Sequence, residues 1–316
     1  MTSGSSLKSA LQRHVSLAIP VTGLVVIFAI ICIRQPMAAS YGGLSLILAY
    51  VIPLVFVSMA QMLIMSIGDI DLGIGQFVSL AMCVSAALMD AHPVWGLAAL
   101  FGLVLVYAAL GGLIHLFAMP AIVATLGGAF IWYGTALTIF PTPGGTVPDW
   151  LIGFMRWKPP LVPLPIIIAV VLALVMHWLV MRHWLGVLMR GFGGNARAVE
   201  RAGRSALLIR MAVYGGAGLL ACIGGLLLSG LTTTGDANVG SNYTLQSIAA
   251  VIIGGGRFAG GVVLPIGTVI GAMIILLTGT LLSFANISPN WQLSFQGAIL
   301  ILVLSVRRLL EKRNGF

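Results

Sequence analysis

Charge is what this sequence has least of. Asp, Glu, Lys and Arg together make up 7% of its 316 residues, against roughly 25% in a soluble domain. Hydrophobic residues reach 59% and the mean hydropathy is +1.10. No soluble core could bury that much apolar surface, so lipid must solvate much of it. Lysine is scarcer still: Lys8, Lys158 and Lys312 are the whole set. A phosphate-binding loop of the form G-x-x-x-x-G-K-[ST] needs its lysine, together with backbone N–H groups, to cradle phosphates. Only Lys8 precedes a Ser or Thr, and Leu7 rather than Gly precedes it. The chain therefore does not hydrolyse ATP by that route, and no enzymatic activity is expected of it. A mid-membrane row of Asp, Glu or Lys, as a proton relay requires, is also missing. Cys32, Cys83 and Cys222 are scattered through apolar runs at no metal-ligand spacing and read as packing residues. His115 and His177 lack carboxylate or cysteine neighbours at helical spacing and read the same way. Neither a metal nor a cofactor is expected.

What is present is a series of uncharged apolar runs. They predict helices near 15–33, 45–66, 72–89, 95–118, 121–140, 160–181, 209–231, 244–256, 262–284 and 291–306. The first is too long for the apolar core of a signal peptide and has no clear cleavage site, so it is expected to be retained. The fold class expected is an all-α integral membrane protein of about ten transmembrane helices, with residues 1–316 forming a single domain. With both termini in the cytoplasm, 13 of the 16 Lys and Arg residues fall inside. Arg34, Arg156 and Lys158 alone fall outside, as the positive-inside rule requires. That placement accounts for the net charge of +9, which in a soluble chain would have suggested nucleic acid. No nucleic-acid partner is expected here; membrane lipid is.

Two loops interrupt the pattern. The outer one, 141–163, is rich in Pro and Gly and carries Trp150 and Trp157, which suit a membrane interface or a docking surface. The inner one, 182–210, is the longest polar stretch. Within it Asn195 and Gly203 bracket a short helix, with Arg197 and Arg201 on one face and Glu200 three residues from Arg197. Spacing alone allows an interfacial helix on anionic lipid or a lever resting on a cytoplasmic motor. Glycine-rich turns, SIGDIDLGIGQ before the third helix and IGGGRFAGGVVLP before the ninth, give the chain two pseudo-symmetric halves. In the first turn Asp69 and Asp71 can gate or line a path, or Asp71 can cap the third helix. Gly68, Gly73 and Gly75 permit tight turns and close helix approach. Arg257, set among glycines, reads as a helix-end anchor. An uncharged solute would need amide and hydroxyl partners, which makes Gln61, Thr125, Asn242, Gln246 and Gln296 candidate pathway residues. Most of them could equally bond between helices.

Four segments together resemble the permease subunits of ribose-type ATP-binding cassette sugar importers, over nearly the full length. They are Gly68 to Gly75 (G-D-I-D-L-G-I-G), Val123 to Gly127 (V-A-T-L-G), Gly193 to Gly203, and Ser247 to Gly255 followed by Gly260-Gly261. The resemblance implies the superfamily shared with branched-chain amino acid permeases, a bacterial inner-membrane location, and two permeases paired around the pathway as a homo- or heterodimer. It further implies two cytoplasmic ATPase subunits, and a periplasmic or lipid-anchored binding protein that delivers a monosaccharide or related polyol. Gly193, Gly194, Asn195, Arg197, Glu200, Arg201 and Gly203 would couple to the ATPase, and Asp69, Asp71, Gly73 and Gly75 would form the gating turn. The chain departs from the family where Asp69 replaces a small residue and Arg204 an aliphatic one. Arg197 and Glu200 also carry charges opposite to the usual ones, which bears on partner choice. Related permeases for nucleosides or branched-chain amino acids, and a stand-alone secondary transporter, are the alternatives.

Overall fold

The computed structural model describes residues 3–288 and residues 291, 294, 297 and 298, with side chains described for residue 18 and from residue 20 onward. Among these, thirteen α-helices run α1 Ser3–Arg34, α2 Tyr41–Leu48, α3 Val51–Ser66, α4 Ile74–Leu88, α5 Pro93–Leu116, α6 Ala121–Ile139, α7 Asp149–Arg156, α8 Leu164–His177, α9 Trp184–Gly194, α10 Ala196–Arg201, α11 Ala206–Thr232, α12 Ser241–Ile253 and α13 Pro265–Phe284. A wider turn, Trp178–Arg182, prolongs α8. The protein is an all-α membrane protein. Five helices are long and apolar enough to cross a bilayer, or six if the bent pair α2–α3 is one span. The predicted tenth helix lies largely outside the described residues.

Two sequence expectations change in detail. The second predicted helix is two helices meeting at 44°. Pro53 has no N–H to give the Ala49 carbonyl, which instead accepts at 3.4 Å from Ile52 in a tighter turn. The third and eighth predicted helices, α4 and α12, hold 15 and 13 residues. At 1.5 Å per residue they are about 20 Å long, too short for a hydrocarbon layer of about 30 Å. Within a bilayer, irregular backbone beside helices this short is tolerated only where protein covers it.

Burial sorts the helices by role. α3 is largely apolar and buried at every position but Phe56, so it belongs at the centre. Of the apolar window of α11, 61% is buried, against 28% in α5 and in α6. Those two, with α8, turn Val, Leu, Ile and Phe side chains outward as a lipid- or partner-facing surface. Ser205 caps α11 by accepting the Leu208 N–H at 3.3 Å, and Thr233 ends it in the left-handed region. α5 and α11 then pack in a reciprocal manner. A Cβ on Gly218 would lie 2.8 Å from the Tyr107 side chain, and one on Gly111 2.8 Å from that of Tyr214. Each tyrosine thus lies over a glycine of the facing helix. This seats both hydroxyls beside the turn between α3 and α4.

Candidate functional site at the foot of the broken helices

A buried non-helical turn must find partners for its backbone. The turn that follows Ser66 does so through side chains from three helices. In the orientation that matches donor to acceptor, the Gln61 amide of α3 pairs with both the N–H and the C=O of Asp71, each at 3.3 Å. Thr125 of α6 accepts the Leu72 N–H at 3.1 Å. Asp71, fully buried, accepts the Gly73 N–H at 2.7 Å on Oδ1 and the Tyr107 hydroxyl on Oδ2. Gln61 and Thr125, named from sequence as pathway candidates, are both buried against this turn.

Asp69 reaches the other way. Its Oδ1 accepts from Arg210 Nη2 at 3.2 Å, its Oδ2 lies 3.2 Å from Arg210 Nε, and Tyr214 donates to Oδ2 at 3.3 Å. The Arg210 guanidinium lies 5.9 Å from the centre of the Phe192 ring. The ion pair therefore links the turn, the start of α11 and α9 of the 182–210 loop.

That loop contains the helix expected between Asn195 and Gly203. The Asn195 side chain accepts the Ala198 N–H at 3.1 Å, and Gly203 closes α10 at a φ of +75°. Sequence reading missed α9, although Leu185, Leu188, Met189 and Phe192 give the i, i+3, i+4, i+7 signal. Arg197, Glu200 and Arg201 are exposed on α10, as are Gly194, Asn195 and Gly203. Among the described residues no ion pair joins Arg197 to Glu200.

Gly193 is where the loop meets the transmembrane helices. The Ser66 carbonyl, at the end of α3, accepts the Gly261 N–H at 2.9 Å. A Cβ on Gly193 would overlap that carbonyl and lie 2.6 Å from Gly261 N. A Cβ on Gly260 would lie 2.7 Å from Gly68 N and 3.0 Å from the Gly193 carbonyl oxygen. Three segments far apart in sequence, 66–68, 193–194 and 260–261, thus meet backbone to backbone.

Above this junction the first turns of α4 and α12 interlock. Gly75 N–H donates to Thr244 Oγ1 at 3.1 Å, and Gly240 N–H to Ser79 Oγ at 2.8 Å. Gly73 is packed just as closely, against the Thr125 carbonyl at 2.5 Å from a would-be Cβ. Around the start of α12 polar side chains reach the surface. Thr244 donates to Gln76 at 3.3 Å and Tyr133 to Asn238 at 2.9 Å. Asn242 is exposed and Gln246 half-buried, and neither makes a hydrogen bond to protein among the described residues. Gln296 lies outside the described residues. Sequence reading missed Tyr107, Tyr214, Gln76, Tyr133 and Asn238. A tyrosine inside an apolar helix, whose hydroxyl needs a partner, was the available signal for the first two.

Residues 43–304 match the family model described as branched-chain amino acid transport system, permease component. The galactofuranose transporter permease protein of Escherichia coli (strain K12) is 33% identical over 83% of this chain and 79% of its own length. The D-allose transport system permease protein of the same organism is 28% identical over 82% and 81%. Its ribose import permease protein is 27% identical over 90% and 91%. No solved structure matches. A match over most of the length, together with an apolar all-helical fold, places the chain: it belongs to this family of transport-system permease components.

Proposed function

We propose that the chain is the membrane-spanning, non-catalytic permease subunit of an ATP-binding cassette importer. It carries a monosaccharide or related polyol across the bacterial inner membrane. The substrate class is taken from the similar permeases for galactofuranose, allose and ribose. The observation that carries the coupling half of the reading is the seat of Gly193 against Ser66 and Gly261. A cytoplasmic ATPase subunit gripping α10 through Arg197, Glu200 and Arg201 would move α9 as a lever. Gly193 would pass that movement to the 66–68 and 260–261 turns, and so to the helices on either side of each. Two copies, or this chain and a second permease, would enclose the path, and a binding protein would deliver solute at the 141–163 face.

The same reading holds residues 1–316 as one domain of ten spans in two related halves, with α4 and α12 as broken spans and both termini cytoplasmic. The distribution of basic residues supports it. Arg190, Arg197, Arg201, Arg204 and Arg210 gather at the α9–α10 end. Arg34, Arg156 and Lys158 lie at the other, where the Tyr41 hydroxyl bonds to the Pro159 carbonyl.

Liposomes holding the permease, its ATPase subunits and a loaded binding protein should take up labelled sugar only with ATP. Uptake by this chain alone against a gradient would overturn the subunit reading in favour of a secondary transporter. In the complete system Arg197→Glu with Glu200→Arg should leave ATP hydrolysis running while uptake drops about tenfold, a coupling loss of the size set by about 1.4 kcal/mol. Wild-type coupling in that variant would remove α10 from the mechanism.

Of the pathway candidates, Asn242 and Gln246 have uncommitted amides at the surface. A hydrogen bond to a solute hydroxyl is worth about 0.5–1.5 kcal/mol net, so losing two costs about 1–3 kcal/mol. Asn242→Leu with Gln246→Leu should therefore raise the KM for uptake at least about tenfold, with basal ATP hydrolysis unchanged. An unaltered KM would exclude both amides from the path.

A further inference from the structure

At the end of the molecule remote from α9–α10, a cavity of about 530 Å³ opens between α2, the end of α7, the start of α8 and the end of α11. Its volume falls within the range of about 300–1,000 Å³ usual for ligand sites. Its wall is largely apolar: Leu46, Ile52, Met155, Leu164 and Leu231 line it. The charged residues of its lining are both cations, Arg156 and Lys158, and both are exposed. Trp157 stands between them, 57% exposed, and Leu161 just beyond is 89% exposed.

An exposed tryptophan flanked by cations, next to bare leucine, is the composition of a membrane–water interface. The segment is held in place, because the Tyr41 hydroxyl donates to the Pro159 carbonyl one residue past Lys158. Ala49 lines the cavity at the bend between α2 and α3. That bend turns α2 away from the line of α3 and opens the gap.

We propose that this cavity is a binding site for an anionic phospholipid, with the phosphate headgroup between Arg156 and Lys158 and an acyl chain in the apolar groove. Two features favour lipid over an acidic protein surface. An acidic side chain would satisfy the cations without needing an apolar cavity of this volume. The apolar wall also includes Leu46, 77% exposed at the mouth of the cavity. Arginine and lysine at a phosphate, with apolar surface below, follow the general pattern of headgroup recognition. The proposal rests on the chain's membrane location and not on which solute it carries.

Native mass spectrometry of the detergent-purified, delipidated transporter would test it. Titration with phosphatidylglycerol, phosphatidylcholine and inorganic phosphate should show phosphatidylglycerol retained at least about tenfold better than phosphatidylcholine, and inorganic phosphate unable to displace it. Arg156→Gln with Lys158→Gln should abolish that preference and keep weak retention of either lipid. Equal retention by wild type and variant, or displacement by inorganic phosphate, would overturn the proposal. A second readout uses Ser45→Cys, placed in the cavity wall, in a Cys32→Ser background with maleimide labelling. The thiol should label in lipid-free detergent and be protected by phosphatidylglycerol. Protection without lipid would mean that protein fills the groove. A loss of binding-protein-stimulated ATP hydrolysis in Arg156→Gln with Lys158→Gln, with lipid retention unchanged, would assign the cations to protein docking instead.

Discussion

Gly193→Ala should nearly abolish ATP-driven uptake, by about 100-fold, while the ATPase subunits continue to hydrolyse ATP. One methyl group is sufficient because its position is already occupied: a Cβ there overlaps the Ser66 carbonyl oxygen and crowds Gly261 N. Both are backbone atoms, fixed to each other by the Gly261 N–H to Ser66 hydrogen bond of 2.9 Å, so neither can swing aside as a flexible side chain would. Overpacking of this kind costs about 1–3 kcal/mol. The cheapest relief is for α9 to lift off the ends of α3 and the 260–261 turn, which breaks the contact through which the lever would act. A tenfold effect needs about 1.4 kcal/mol, so the upper part of that range accounts for the loss expected.

Gly194→Ala is the control. Its Cβ would meet nothing within 4 Å, and uptake should stay within about twofold of wild type. The comparison separates coupling from folding, because both variants alter the same loop by the same methyl group. Uptake in Gly193→Ala equal to that in Gly194→Ala would show that movement of α9 does not pass through this junction.

The sequence carried the helices well, and for a physical reason. A lipid-solvated span must be long, apolar and uncharged, so each one announces itself. The runs predicted between 95 and 284 agree with the ends of α5, α6, α8, α11, α12 and α13 to within a few residues. The short helix between Asn195 and Gly203 was equally visible, since a side-chain cap and a left-handed glycine are local signals. What could not be read was the partner of each polar group. Gln61 and Thr125 have the chemistry of pathway residues, and the choice between solute and backbone depends on a turn that closes only in three dimensions. Asp69 finds Arg210 across 141 residues and Asp71 finds Tyr107 across 36. Neither separation has a periodicity. The glycines were visible as a composition, but that Gly193, Gly68 and Gly260 meet at one point follows from packing and from no local rule.

Asp71→Ala should destabilise the protein more than any substitution on the solvent- or lipid-facing surface. The carboxylate is fully buried and accepts from the Tyr107 hydroxyl and the Gly73 N–H. Alanine leaves both donors without an acceptor, in a site closed by Phe77, whose ring centre lies 4.2 Å from that of Tyr107. Each buried unsatisfied group costs about 1–3 kcal/mol, so about 3–5 kcal/mol is expected with the added void. That is a fall of roughly 10 °C in the unfolding midpoint measured in detergent. Asp71→Asn keeps an acceptor oxygen and should lose less than half as much. Tyr107→Phe removes a donor and leaves one carboxylate oxygen bare, and its effect should not add to that of Asp71→Ala, because the two share one bond. A direct role in solute passage makes the opposite prediction. Asp71→Ala would then keep its midpoint and alter the KM for uptake. The turn is built against that outcome: Gln61 clamps the Asp71 backbone on both sides at 3.3 Å while the side chain is engaged elsewhere. Both carboxylate oxygens are engaged, by the Gly73 N–H and the Tyr107 hydroxyl, and through them the residue holds the start of α4.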